Sequence, residues 1–344
     1  MGGKTHEHPA VDERYALMLN WLGALLPGAD LAVTPASEDA SFRRYFRVRL
    51  NDTTRIVMDA PPAKEDSRPF VVIAAALFDL GLQTPRIFAA DFEQGFLLLS
   101  DLGEQPYLTV LDEDNADRLY GDALAALARL QTGGDPTSAL LPAYDGALLR
   151  RELDLFRDWF LDCHLGLSLS AAEQRMLDTA YAVLLDNALE QPRVWVHRDY
   201  HSRNLMVTAE ANPGVLDFQG AVVGPLTYDL VSLLRDCYIA WPAARVERWV
   251  LAYRDRLAAR GFPGLGEPAT FLRWFDIMGM QRHLKAIGIF ARLNIRDGKP
   301  HYLGDIPRTL NYVLEVAGCY PELNTLGEWL TGRGITPASV PPAA

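Results

Sequence analysis

The stretch VWVHRDYHSRNLMV, residues 194–207, sets His197, Arg198, Asp199 and Asn204 between two short apolar runs. A plain hairpin would close on Asn-Gly or Gly-Ser, so these residue types at these offsets point to work other than turning. Asn204 lies five residues after Asp199, and Asp217 lies eighteen after it, in GVLDFQG (214–220). Val215-Leu216, just before Asp217, is an apolar run too short for anything but a buried strand. The pattern is H-x-D-x-x-x-x-N, a strand, then D-F.

Phosphoryl transfer asks for this set. Its transition state spreads charge over phosphoryl oxygens, so Mg²⁺ must bridge the nucleotide phosphates, and that hard cation takes oxygen ligands. An Asn carbonyl and an Asp carboxylate on neighbouring strand ends, Asn204 and Asp217, supply them. A separate carboxylate must stand off the metal and accept the acceptor hydroxyl's proton, which suits Asp199. His197 would orient the loop by hydrogen bonding. Taken singly, each residue is equally well read as a turn former, a cap or a core histidine. The three-part spacing between apolar strands is not.

Around this stretch lie 344 residues, 49% hydrophobic and 22% charged, long for one compact core, so two lobes are expected. A net charge of −11 argues against a nucleic-acid surface. Cys163, Cys237 and Cys319 are odd in number and lack CxxC spacing, which predicts reduced, buried thiols rather than disulfides or zinc. The longest apolar run, VVIAAALF (71–78), is too short to span a bilayer. YALMLNWLGALL (15–26) has the look of a signal segment. Asp12 and Glu13 precede it, Asn20 interrupts it, and Leu17, Trp21 and Leu25 recur at helical spacing. It reads as an amphipathic first helix, about 12–26, in a cytoplasmic protein without a membrane segment.

In FRVRL (46–50), Phe46, Val48 and Leu50 alternate with arginines, a strand with one wet face. NDTT turns the chain, RIVM is a second strand, and Pro61-Pro62 stops it. PFVVIAAALFDLGL (69–82) predicts a buried helix ended by Gly81, and PRIFAADFEQGFLLLSDLG (85–103) two strands about a Glu-Gln-Gly turn. From about residue 111 the period changes. Leu119, Ala123, Leu127 and Leu130 form one stripe, and helical patterns follow over 147–164, 170–190, 227–239, 242–260, 271–294 and 304–319. Strand-like sequence in this half is confined to 193–218. SDLGEQP (100–106) has the Gly and Pro of a hinge. The expected fold class is α+β: a small antiparallel-sheet lobe with one helix over residues 1–102, and a larger helical lobe over 103–344.

HRDYHSRN and LDFQ resemble the catalytic and metal loops of the aminoglycoside phosphotransferase family, kinase-like enzymes of small molecules, over about residues 35–320. The resemblance implies a protein-kinase-like bilobal fold, ATP and Mg²⁺ as cofactors, and Asp199 as the base. It makes Asn204 and Asp217 the metal ligands and seats adenine at 97–103 between the lobes, with Leu99, Ser100, Asp101, Leu102 and Met58 among the nucleotide contacts. Asp229, in GPLTYDLVSLLRD, matches the acidic residue that caps the catalytic loop in these enzymes; TYD before an apolar run equally describes a helix N-cap. A protein kinase would carry a Gly-rich loop, D-F-G and A-P-E; this chain has no Gly-rich loop, reads D-F-Q and lacks A-P-E.

The family's phosphate-gripping lysine is missing, for RIVMDAPP offers Met58 and Asp59, and the whole chain has only Lys4, Lys64, Lys285 and Lys299. Arg43, Arg44 and Lys64 are the cationic candidates to replace it. The other reading makes the arginines the wet face of an edge strand. The tip from Ser37 to Ser41 could offer backbone N–H groups to phosphate, with Ser41 and Arg44 as the nucleotide contacts. EDASFRRYFRV, VMDAPP, LLLSDLG and FDIMGMQRHLKAIGIFARL are similar to one branch, the bacterial kinases of cell-wall (peptidoglycan) recycling. These phosphorylate the C1 hydroxyl of N-acetylmuramate and N-acetylglucosamine.

Gln281, Lys285 and Arg292 fall on one helix face with Arg282 beside it. Such a cationic face suits an acceptor bearing a carboxylate and repels polycationic aminoglycosides; its alternative is a solvated helix face. Arg203 and Arg235 are further candidates for the acceptor site, with Asp229. The expected partners are ATP and a small amino sugar, and the expected state is a monomer. The rival readings are a kinase of another small alcohol (aminoglycoside, choline or homoserine) and a nucleotide-binding pseudokinase.

Overall fold

The computed structural model describes residues 13–29, 31–38, 42–51 and 53–339. The chain falls into two compact units, residues 1–75 with 84–103, and residues 76–83 with 104–344.

The first unit opens with α1 (Glu13–Leu25) and builds a sheet from β1 (Ala32–Glu38), β2 (Arg44–Leu50), β3 (Thr53–Asp59), β4 (Ile87–Asp91) and β5 (Phe96–Ser100). All pairs are antiparallel, in the order β1-β2-β3-β5-β4, and α2 (Arg68–Asp79) connects β3 to β4. Strand alternation assigns the two faces. Phe46 stands opposite Val57, and Val57 opposite Leu98; with Val48 and Phe96 they pack on Met18 and Leu22 of α1. Met58 faces Leu97 one step out of phase, so Met58, Leu97 and Leu99 share the other face.

Three expectations are corrected here. The buried stripe of α1 is Met18 and Leu22, while Leu17 and Leu25 are 46% and 38% exposed. Apolar residues surround this helix, so spacing alone did not fix which row faces the sheet. The second helix is buried on one face only (Phe70, Ile73, Ala74, Leu77), with Val72 and Phe78 exposed. And β2 is an interior strand, so its arginines do not line an edge.

The second unit contains α3 (Tyr107–Val110), α4 (Ala116–Gly133), α5 (Gly146–Leu155), α6 (Ala171–Leu189), α7 (Tyr228–Leu234), α8 (Ala243–Ala259), α9 (Pro268–Asp297), α10 (Ile306–Cys319) and α11 (Asn324–Gly332). Four short strands, β6 (Arg193–Val196), β7 (Leu205–Met206), β8 (Gly214–Val215) and β9 (Val222–Pro225), lie between α6 and α7. The predicted stripe of α4, Leu119, Ala123, Leu127 and Leu130, is fully buried. Thirty residues long and apolar on most sides, α9 packs against α5, α6, α7, α8 and α10.

Several local features departed from the spacing rules. Beyond α5 the chain continues as a π-helix, Phe156–His164, where a plain helix was expected. The pattern over 227–239 ends as helix at Leu234, because Asp236 accepts the Tyr238 N–H and the N–H and Oγ–H of Ser202 instead of extending a helical turn. Val222–Pro225 is a strand beyond the 193–218 window. Of the thiols only Cys237 is buried; Cys163 and Cys319 are exposed, and all three are free. Among the described residues no helix is long and apolar enough to cross a membrane.

Candidate active site

The two apolar runs that flank HRDYHSRN do not pair with each other. Strand β6 pairs with β9 and β7 with β8, all antiparallel. The register Leu205↔Val215 continues one residue outward, where the Leu216 N–H donates to the Asn204 carbonyl at 2.9 Å. That register brings Asn204 and Asp217 side by side. Asn204 Nδ2 donates to the Asp199 carbonyl at 2.9 Å and faces Asp217 Oδ2 at 3.5 Å, which leaves the Asn204 amide oxygen without a protein donor. A neutral amide oxygen beside a carboxylate is the donor set of a hard divalent cation. Among the described residues no cluster of three or more His, Cys, Asp and Glu is built to hold a metal. Two side-chain ligands fit a magnesium ion that takes the rest of its shell from phosphate and water.

Arg198 and Asp217 both have left-handed backbone, φ 76° and 62°. Such a conformation costs an L-residue about 1–3 kcal/mol and persists only where the surroundings hold it. For Arg198 the hold is visible. Asp229, buried in the first turn of α7, accepts the His197 N–H at 2.6 Å and the Arg198 N–H at 2.9 Å. The N-cap of that helix is Thr227, so the N-cap alternative for Asp229 is overturned. Burial pushes the Asp229 carboxyl up to about 7, against the two backbone N–H bonds that favour its ionised form. His197 is equally enclosed. Burial drives it down to about 4, so at neutral pH it is uncharged, and its Nδ1 accepts the Asp199 N–H at 3.3 Å. Farther along the loop, Tyr200 Oη donates to the Ala123 carbonyl at 2.8 Å.

Asp199 looks into a pocket whose walls include Tyr228, Tyr238, Arg282, Lys285 and Ile289. Burial opposes ionisation of its carboxyl, but the positive fields of Lys285, His201, Arg282 and Arg198 outweigh it and hold the group below the ordinary value. Lys285 itself donates to Tyr228 Oη at 2.9 Å and pairs with Glu152 at 3.1 Å. Glu152 also takes the Arg198 guanidinium and the Tyr144 hydroxyl. The arrangement requires α9 to lie close against α5. At Gly288 a Cβ would stand 2.4 Å from the Leu155 carbonyl carbon, so only glycine allows that approach. The solvated-face alternative for this helix is overturned, since Gln281, Arg282 and Lys285 are all buried.

A half-buried carboxylate kept ionised beside a pocket, with an oxygen pair set for magnesium on the same loop, is equipment for activating a hydroxyl toward phosphate. Residues 32–267 match the model of the phosphotransferase enzyme family. The chain belongs to that family. It is 51% identical over 297 residues to a protein of Pseudomonas putida named N-acetylmuramate/N-acetylglucosamine kinase, covering 86% of this chain and 87% of that protein. A protein of the same name from Pseudomonas aeruginosa is 49% identical over 329 residues, covering 93% and 96%. Among solved structures, the ADP-bound aminoglycoside phosphotransferase APH(2'')-Ib matches with a TM-score of 0.59 and 18% identity, over 89% of this chain and 99% of that one. The fold is that of the kinase-like small-molecule phosphotransferases.

Within this phosphotransferase, the residues expected at the nucleotide lie in the first unit. Met58 and Leu99 are buried on one sheet face, and Leu102 is buried beyond it. Ser100 Oγ accepts the Arg86 N–H at 2.9 Å, and Asp101 is clasped by Arg47 at 2.6 and 3.1 Å. Arg44 and Arg14 both bind the buried carboxylate of Asp59, Arg44 at 2.5 and 3.0 Å. Arg43 is buried and pairs with Glu65 at 3.3 Å rather than lying on a wet face. Ser41 lies outside the described residues.

Of the residues expected at the acceptor, Arg203 stacks on the Tyr238 ring at 3.7 Å, while Arg235 pairs with Asp276 at 2.6 Å. Gln281 is fully buried. Sequence reasoning missed Glu152, Tyr228 and Tyr238. Glu152 had a signal: with Leu149, Leu153 and Phe156 it falls on the buried stripe of its helix, where an unpaired charge would be costly.

Proposed function

We propose that this protein is an ATP- and Mg²⁺-dependent sugar kinase that transfers the γ-phosphate to the anomeric hydroxyl of N-acetylmuramate and N-acetylglucosamine. The observation that carries this reading is the union of Asp199 with Arg282 and Lys285 in one pocket. A cationic wall beside the base suits a sugar acid and repels an aminoglycoside, and the name shared by the Pseudomonas relatives supports the same acceptors. A role in cytoplasmic recycling of cell-wall sugars, carried out by a monomer, completes the proposal.

In this reading Asp199 Oδ accepts the C1 hydroxyl proton as that oxygen attacks the γ-phosphorus. The new O–P bond forms in line with the breaking bond to the β–γ bridging oxygen, and ADP leaves. Asn204 and Asp217 hold the magnesium, which when bound neutralises charge on the phosphate oxygens. Asp229 and His197 fix the loop that carries Asp199. The segment 97–103 with Met58 offers the apolar and backbone groups for adenine, while Arg44 and the tip at Ser41 are the candidates for phosphate. Lys285 lies at the acceptor pocket, so it does not replace the absent sheet lysine.

The test is incubation with Mg-ATP and a panel of amino sugars, aminoglycosides and choline, locating the phosphate by ³¹P NMR. A sugar 1-phosphate is expected. Phosphate on an aminoglycoside or on choline, or ATP left intact with every acceptor, would overturn the reading.

A further inference from the structure

Arg282, Lys285, Ala286 and Ile289 recur at i, i+3, i+4 and i+7 on α9 and share one face, and all four line the pocket that holds Asp199. The two cations of that face are not equivalent. Lys285 already has an anion, Glu152 at 3.1 Å, and the Tyr228 hydroxyl at 2.9 Å. Arg282 has neither. It is 6% exposed, and its hydrogen bond among the described residues runs from Nη1 to the thiol of Cys237 at 3.5 Å. Sulfur is a weak acceptor, and a guanidinium enclosed without a carboxylate is costly. Its Nε and Nη2 neither bond to protein nor count among the sealed, unpartnered atoms, so they open on the pocket. The fold has placed a fork of donors against free space and bonded no carboxylate to it, Asp199 and Asp236 acting on it only through their field.

We propose that Arg282 reads the carboxylate of an acidic acceptor, and so sets the preference between the two sugars. The proposal rests on the amino-sugar reading above and deepens it. N-acetylmuramate and N-acetylglucosamine share the reacting C1 hydroxyl and the acetamido group, and differ by the lactyl ether on O3. That ether adds one carboxylate and one methyl group. A planar guanidinium binds a carboxylate through two parallel N–H bonds, and the Ala286–Ile289 strip one turn along accepts a methyl group. Arg203 and Arg292 also have no anion bonded, but neither lines this pocket, and Arg203 is solvent-exposed on the Tyr238 ring. The neutral sugar leaves Arg282 with water.

The experiment is steady-state kinetics with Mg-ATP on both sugars, for the wild type, Arg282→Lys and Arg282→Gln. In Arg282→Gln the ratio of kcat/KM for the acid to kcat/KM for the neutral sugar should fall about 30- to 300-fold, carried mainly by KM for the acid. Arg282→Lys should fall between, since it keeps the charge and loses the fork. An unchanged ratio, with both sugars losing activity together, would overturn the proposal and place Arg282 with the phosphate or the fold. A second measurement needs no variant: the methyl ester of N-acetylmuramate on the wild-type enzyme should lose the same factor. Undiminished turnover of that ester would overturn the proposal however the variants fold. Phosphorylation of neither sugar by the wild type would sink the amino-sugar reading, and this inference with it.

Discussion

Each unit of the molecule buries one carboxylate under two cations. In the first, Asp59 is fully buried and takes Arg14 and Arg44, whose side chains are 28% and 38% exposed. In the second, Glu152 takes Arg198 and Lys285, the lysine only 10% exposed. Asp59 ties the leading helix and strand β2 to strand β3; Arg14 goes on to the Gln94 carbonyl at 2.8 Å and the Phe96 ring, and Arg44 to the Phe46 ring. Glu152 ties two residues that flank Asp199. Arg198 immediately precedes Asp199 and Lys285 lines the pocket that holds Asp199. The same electrostatic unit thus serves as a staple in one place and as a positioning frame in the other. What separates them is what else the cations touch.

Four experiments sharpen or break that contrast. The largest effect is expected at the group the frame serves. Asp199→Asn should lower kcat by about 10²–10⁴-fold with nucleotide affinity nearly intact, read by initial rates and by nucleotide titration; unchanged turnover removes it from its role. Glu152→Gln should cost about 3–5 kcal/mol of stability, because a buried lysine and a half-buried arginine lose their anion. It should also lower kcat by about 10- to 100-fold as the Asp199 loop shifts. Asp59→Asn should lower stability by about 1–3 kcal/mol, its cations having access to water, and leave kcat within about twofold. If Asp59→Asn instead abolishes turnover with the fold intact by circular dichroism, the distinction between staple and frame fails.

The smallest effect concerns pH. Buried His197 and His283 are driven by burial from 6.5 to about 4 and about 3. Above pH 6.5 both rings are neutral folded or unfolded, and their contribution is complete. Below it the unfolded chain takes up protons that the fold refuses, so stability declines as pH falls toward 4. Asp229 acts in the opposite sense. Burial raises it from 3.8 to about 7, so it is protonated in the fold across the same window and restores part of the loss. The melting temperature should therefore fall modestly between pH 6.5 and 4. His283→Gln, which can keep the hydrogen bond to the Arg235 carbonyl, should flatten that slope.

How much of this was readable beforehand depended on whether the controlling interaction was local. The spacing of Asp199, Asn204 and Asp217 was legible because β7 and β8 are adjacent in sequence, and a two-strand register converts spacing into proximity. The antiparallel sheet and the α4 stripe were legible for the same reason, by period. Glu152 lies 46 residues from Arg198, and nothing in its own helix names its partners. The π-helix was hidden too, since its residues carry an ordinary amphipathic pattern. Arg235 read like a site cation and is taken by Asp276, forty-one residues on. Long-range pairing chose which arginines are occupied, and no periodicity records that choice.

Gly288 carries a consequence for anyone who alters this protein. Glu152 lies one turn before Leu155 and Lys285 one turn before Gly288, so the missing methyl is the spacer that sets how far the ammonium stands from its carboxylate. An alanine at 288 would wedge the two helices apart and loosen the Lys285–Glu152 pair beside Asp199 from a position outside that pocket. A mutational screen would score it as a remote defect, and the remedy would be room on the α5 side rather than any change among the reacting groups.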